Sequence, residues 1–202
     1  LGPRRRRAAA HPAPGRGAQQ LAGDMIFYRH ADPRYPFLWE SAEQPAARWH
    51  GPGEGPVHYL SDTPEGAWAE YLRHEEITEL EDLGGIRRSI WAVEVPDPEV
   101  EASARVPVGP AVVGGLASHP RCRQVARKVR RTGHTALRAT AAAVVPGGAH
   151  GWRVDGRIEP GPERPATTLV LFGWRPDLVG WSAAHIAQPD PHILPLVQQL
   201  RP

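Results

Sequence analysis

Arg48-Trp49-His50-Gly51-Pro52-Gly53-Glu54-Gly55-Pro56-Val57-His58-Tyr59-Leu60-Ser61-Asp62-Thr63-Pro64-Glu65-Gly66-Ala67-Trp68-Ala69-Glu70 is the densest stretch of the chain. It places a guanidinium beside an indole, then a loop rich in glycine and proline, then the strand-like run Val57–Leu60. Thr63 stands where a helix cap belongs and Pro64 suits a first helical position, which predicts a helix from Pro64 to about Glu76. Loop, strand and capped helix can line one cleft carrying Arg48, Tyr59 and Glu70. The glycines match neither of the standard phosphate loops. No Gly-Lys-Ser/Thr follows them, and the spacing Gly-x-Gly-x-x-Gly is absent.

Outward from this stretch, Ile26–Arg29, Ser89–Val95 and Thr167–Phe172 also read as strands, the last as a buried run. A second helix is predicted over about Pro120 to Arg131, with Cys122, Val125, Ala126 and Val129 on one face and basic residues on the other. Residues 147–165, rich in Gly and Pro, form a long loop or hairpin connection, and Ile193 to Leu200 give a short apolar helix-like stretch that caps the core. Strands and helices alternate without a regular βαβ rhythm. The expected class is therefore α+β in one domain, rather than a doubly wound sheet.

The length of 202 residues is enough for one ordinary core. Arginine, proline, glycine and alanine are abundant, Lys128 is the single lysine and asparagine is absent, a pattern of GC-rich coding rather than of polyanion binding. The net charge of +2 agrees, so direct nucleic-acid binding is not expected. Residues 1–24 hold five arginines and one aspartate, a net +4, which leaves residues 25–202 at −2. With Pro3, Pro12, Pro14 and no apolar periodicity, this segment is expected to be a disordered basic tail, with Met25 as the biological start of the domain. One cysteine excludes an internal disulfide framework. No apolar run approaches the ~20 residues of a membrane span, and no apolar stretch follows Arg4 to Arg7 as a signal peptide requires. A cytoplasmic protein is the expectation.

Ten histidines occur, but neither His-Glu-x-x-His nor any comparable ligand spacing does, so no metal is expected. A Gly-x-Ser-x-Gly elbow for Ser-His-Asp chemistry is also missing. The helix bearing Arg121, Arg123, Arg127, Lys128, Arg130 and Arg131 is ordinarily a solvated face; its alternative uses are docking against an acidic surface, which the acidic run Glu75 to Asp82 offers inside a homodimer, or attracting an anionic ligand.

Tyr28-Arg29, Arg48-Trp49, Gly55, Val57-His58-Tyr59-Leu60-Ser61 and Pro64-Glu65-Gly66-Ala67-Trp68-Ala69-Glu70 together resemble the RES family, named for its Arg, Glu and Ser. Ala136–Ala142 and Leu169–Phe172 resemble its later segments, so the likeness spans about residues 26–175. One departure stands out: the family serine falls at Ala141, or at Thr140 if the register shifts by one.

The resemblance implies a fold similar to the ADP-ribosyltransferases, a single α+β domain with a twisted, split sheet and flanking helices. It also implies an enzyme that consumes NAD+ by cleaving the bond from ribose to nicotinamide, with water or phosphate as acceptor, acting as a toxin paired with an Xre-type antitoxin protein. On that reading Glu70 stabilises the charge that builds on the ribose. Arg29 and Arg48 hold the diphosphate. Tyr59 stacks on the nicotinamide or binds its ribose, and Thr140 is the one hydroxyl near the serine position. Taken alone, the same residues have plainer uses. Glu70 with Arg73 and His74 makes a solvated i, i+3/i+4 face, Arg29 an exposed strand residue, Arg48 a stack on Trp49, Tyr59 a core aromatic and Thr140 simple packing. A catalytically silent relative that binds a nucleotide or protein, and an ADP-ribosyltransferase acting on a macromolecule, stand as alternatives.

Overall fold

The computed structural model describes residues 23–200. The segment read as a basic tail lies outside them except for Gly23 and Asp24. Asp24 already belongs to the first strand, and the Gly23 carbonyl accepts a hydrogen bond from Asp97 N at 3.1 Å.

In chain order the described elements are β1 (Asp24–Ala31), β2 (Val57–Ser61), α1 (Pro64–His74), a 3-10 turn (Leu80–Gly85), β3 (Arg88–Pro96), α2 (Asp97–Ala102), β4 (Ala104–Arg105), α3 (Pro110–Val113), a 3-10 turn (Leu116–Ser118) and α4 (His119–Arg131). Then come β5 (Ala136–Thr140), β6 (Trp152–Val154), β7 (Ile158–Pro160), β8 (Thr167–Phe172), β9 (Val179–Ala187) and a last 3-10 turn (Pro191–Leu196). Among the described residues one seven-stranded sheet runs β4-β5-β8-β2-β1-β3-β9, and β6 and β7 form a separate hairpin inside the Gly/Pro-rich connection. The fold is α+β. The ladders of the large sheet are antiparallel except β4 with β5.

Local chemistry fixes the central unit. The Thr63 hydroxyl accepts from Gly66 N at 2.9 Å, Pro64 opens α1 without a wasted donor, and Arg73 and His74 close it where the helix dipole favours cations. Gly66 lets the start of α1 lie against β2, because a Cβ there would stand 3.0 Å from Thr63 Oγ1 and 3.2 Å from Ser61 Cβ. β8 is central and covered on both faces, which is why its sequence is nearly all apolar. Leu169 and Leu171 pack with Phe27, Leu60, Val93 and Val95 on one side. Val170 and Phe172 pack with Trp49, Val57 and Leu137 beneath α4 on the other. Each such side chain contributes about 1.5–3 kcal/mol on full burial.

The sheet comes close to splitting between β1 and β2. A single pair, Tyr28 with Ser61, joins them, whereas β1 runs beside β3 from Asp24 to Ala31. The apolar stretch at the C-terminus is a 3-10 turn containing Pro195, not an α-helix. It still caps the core, with Ile193 and Val197 buried and Val144 bridged to Val197.

Candidate functional site

The opening between β1 and β2 leads into a cavity of about 560 Å³, within the usual range for small-molecule sites of about 300–1,000 Å³. Arg29 of β1, Arg48 before β2, Tyr59 and Ser61 of β2, Glu70 and Arg73 of α1, His119 and Arg123 of α4, and Thr168 of β8 all face it. Four guanidiniums therefore surround one carboxylate. Such a lining attracts an anion.

Glu70 is drawn off the surface and into this cavity. Burial pushes its carboxyl above the usual range, against the opposing pull of Arg48, Arg73, the Thr168 hydroxyl and His74. Arg48 and Arg73 lend Glu70 their charge while three N–H groups of each bond elsewhere. Arg48 Nη1 donates to the Val112 carbonyl at 2.8 Å and to Ser118 Oγ at 3.1 Å, and its Nη2 to the Gly114 carbonyl at 2.8 Å. Arg73 is 5% exposed. It donates to the carbonyls of Ala142, Gln198 (2.6 Å) and Gly114 (3.1 Å). Both guanidiniums thus converge on Gly114 and pin residues 112–118 beside α1.

Arg29 is different. Its Nη1 is buried and has no hydrogen-bond partner among the described residues, and burial lowers its pKa to about 10. Of the two arginines singled out from the sequence, Arg29 is the one with a buried donor left for a ligand. Tyr59 turns its ring to the cavity while its hydroxyl accepts from Trp49 N at 3.0 Å and meets His50 Nδ1 at 2.9 Å. Burial pushes its phenol up, so it stays protonated. Burial and the surrounding guanidiniums lower His30 to about 3 and His119 to about 4. Both imidazoles are neutral at pH 7, which leaves the arginines as the source of positive potential.

Thr140 does not join this group. It ends β5 opposite Thr167, and the cavity wall does not include it. Ala141 is buried in the core with Ala67 and Trp68. Hydroxyls on the wall come instead from Ser61 and Thr168. Ser61 was within reach of the sequence, since it lies two residues from Tyr59 on the same strand face. Thr168 and His119 carried no local signal, whereas Arg123 belongs to the basic helix face already visible in the sequence. The basic face of α4 is partly engaged: Arg123 donates to the Ala47 carbonyl at 2.8 Å, Arg127 pairs with Glu54 at 2.5 Å and Arg130 donates to the Glu54 carbonyl at 2.9 Å.

Among the described residues no group of three or more His, Cys, Asp or Glu is placed to hold a metal ion, and no helix is long and apolar enough to cross a membrane. A family model for the RES domain matches residues 9–183. No curated protein matches the chain.

Proposed function

The chain belongs to the RES domain family, and we propose that it cleaves NAD+ at the bond between nicotinamide and ribose. The observation that supports this most is the half-buried Glu70 carboxylate facing a cavity whose wall carries four guanidiniums. As nicotinamide departs with the bonding electron pair, the ribose gains positive charge, and a preorganised carboxylate held away from bulk water stabilises that charge more than it stabilises the ground state. The diphosphate of the dinucleotide meets Arg29 and Arg123, with Arg48 and Arg73 contributing fixed positive charge. Water then yields ADP-ribose and a proton, and inorganic phosphate yields the phosphorylated ADP-ribose. A toxin neutralised in the cytoplasm by an Xre-type antitoxin is the biological role that goes with this chemistry.

A catalytically silent nucleotide binder is the second reading, favoured by the absence of both Thr140 and Ala141 from the cavity wall. Purified protein incubated with NAD+, with and without phosphate, separates the two. Release of nicotinamide with ADP-ribose or its phosphorylated form supports the enzyme, and Glu70→Gln is expected to slow it by about 10²-fold or more, the usual effect of losing one electrostatic stabiliser. Binding without loss of NAD+ supports the silent relative. Label transfer to protein or nucleic acid supports an ADP-ribosyltransferase.

A further inference from the structure

Thr168 carries a hydroxyl that the reading above leaves unused. It stands on β8 directly opposite Ser61 of β2 and Ala139 of β5, on the wall that Glu70 faces from α1. The residue is 5% exposed, and its Oγ1 has no hydrogen-bond partner among the described residues. A hydroxyl held away from water without a partner is costly and is seldom left so without a use. Glu70 is near enough for the hydroxyl to favour its ionised form.

The guanidiniums beside Glu70 are tied mainly to other partners, three of the five N–H groups on each of Arg48 and Arg73 being spent away from the carboxylate. Arg48 and Arg73 donate to the backbone carbonyls of Val112, Gly114, Ala142 and Gln198. His74 is exposed at the end of α1, the Tyr59 hydroxyl is tied to Trp49 and His50, and Arg123 gives its Nε to the Ala47 carbonyl while its terminal nitrogens remain for an anion. His119 and Arg29 face the cavity from α4 and β1. Thr168, β-branched and stiff about χ1, presents a buried uncommitted donor on a rigid strand.

We propose that Thr168 is the positioning residue of this site: its hydroxyl donates to the Glu70 carboxylate and holds it facing the cavity. The inference rests on Glu70 as the acting carboxylate but not on the identity of the substrate.

The test uses the full chain carrying Thr168→Val, which keeps shape and strand preference while removing the hydroxyl, and Thr168→Ser, which restores it. The Glu70 carboxyl is titrated by carbon-13 NMR without nucleotide, assigned through Glu70→Gln. NAD+ turnover is followed against pH in parallel. In Thr168→Val the Glu70 titration is expected to move up by about one pH unit, the scale of one hydrogen bond to a charged group, and to return to the wild-type position in Thr168→Ser. kcat falls about tenfold on the same scale, its acidic limb moves with the Glu70 titration, and KM changes less than about twofold, because positioning a charge affects the transition state. Should the valine variant fail to fold, Thr168→Ala is read in its place.

An unmoved Glu70 titration in a folded variant overturns the proposal, whatever the turnover. A moved titration in a protein that leaves NAD+ intact supports the Thr168–Glu70 pair and counts against the substrate reading instead.

Discussion

Replacing Arg48 by alanine distinguishes a clasp from a ligand-binding arginine. The side chain makes three donations, at 2.8 Å to Val112, 2.8 Å to Gly114 and 3.1 Å to Ser118 Oγ. A hydrogen bond from a charged donor contributes roughly 1.5–3 kcal/mol, but such values are not additive and half-exposed ones sit at the low end. The Gly114 carbonyl keeps Arg73 as a partner. Val112 is buried and its carbonyl loses its Arg48 donor, at a further penalty of about 1–3 kcal/mol if water cannot reach it. Removing the cation also leaves the Glu70 carboxylate with less compensation. Together these give a loss of about 3 kcal/mol, or about 6–12 °C in melting temperature for a domain of this size. Arg48→Lys is expected to recover less than half, since one ammonium cannot span two carbonyls as a planar fork does. Urea unfolding followed by far-UV circular dichroism, with a thermal melt beside it, measures both. A variant that melts within about 1 °C of wild type (a ΔΔG of only a few tenths of a kcal/mol) while its affinity for NAD+ collapses would refute the clasp and make Arg48 a direct ligand.

Arg29→Ala is the converse. With Nη1 unpartnered, its loss is expected to change stability by less than about 1 kcal/mol while weakening NAD+ binding about tenfold or more, read by calorimetry; a large drop in stability with affinity intact would place Arg29 in the scaffold. His30 supplies an acid sensitivity. Its folded pKa of about 3 lies below the unfolded value near 6.5, so the unfolded chain takes up a proton that the fold refuses. Its stabilising effect is therefore complete above pH 6.5 and is lost at about 1.4 kcal/mol per pH unit as pH falls toward 3. His58 and His119, each lowered to about 4, act in the same sense, and Glu70, raised, acts in the opposite one. His30→Gln keeps an acceptor for Arg88 and should flatten the decline of the urea midpoint between pH 6.5 and 4.5. An unchanged slope would rule out a His30 held neutral by the fold.

What the sequence showed was local, and what it hid came from distant pairing. The cap of Thr63 on Gly66 and the adjoining strand of β2 are written within a few residues, so the unit that holds Tyr59 and Glu70 was legible. β8 was legible as an apolar run because both of its faces are covered. β9 was not. Its Trp181 and Ile186 face solvent, the register against β3 shifts near Ile90, and Ile186 takes a positive φ of 49°, so no single alternation runs through it. Thr168 reaches the cavity because β8 pairs with β2 across more than a hundred residues, and no spacing announces that. Thr140 lay close to the right place in sequence and on the wrong side of the wall in space.

Arg73 shows how burial changes what a familiar spacing means. Three residues after Glu70 on a helix, it belongs in the sequence to a solvated i, i+3 pair of little consequence. The fold covers that face of α1 with residues 112–118, with the segment just after β5 and with the chain leading out of the last 3-10 turn, whose Gly114, Ala142 and Gln198 carbonyls take the Arg73 donors. A guanidinium fixed in that way cannot swing to meet a ligand, and it cannot leave either. Arg48 is held by the same segment. The cavity therefore contains two kinds of positive charge. Arg48 and Arg73 set a standing potential that needs no reorganisation when an anion enters, while Arg29, with its unpaired Nη1, can exchange an unsatisfied donor for a new hydrogen bond. Binding specificity is then expected to follow Arg29, and the electrostatic state of Glu70 to follow the two arginines clasped by backbone carbonyls.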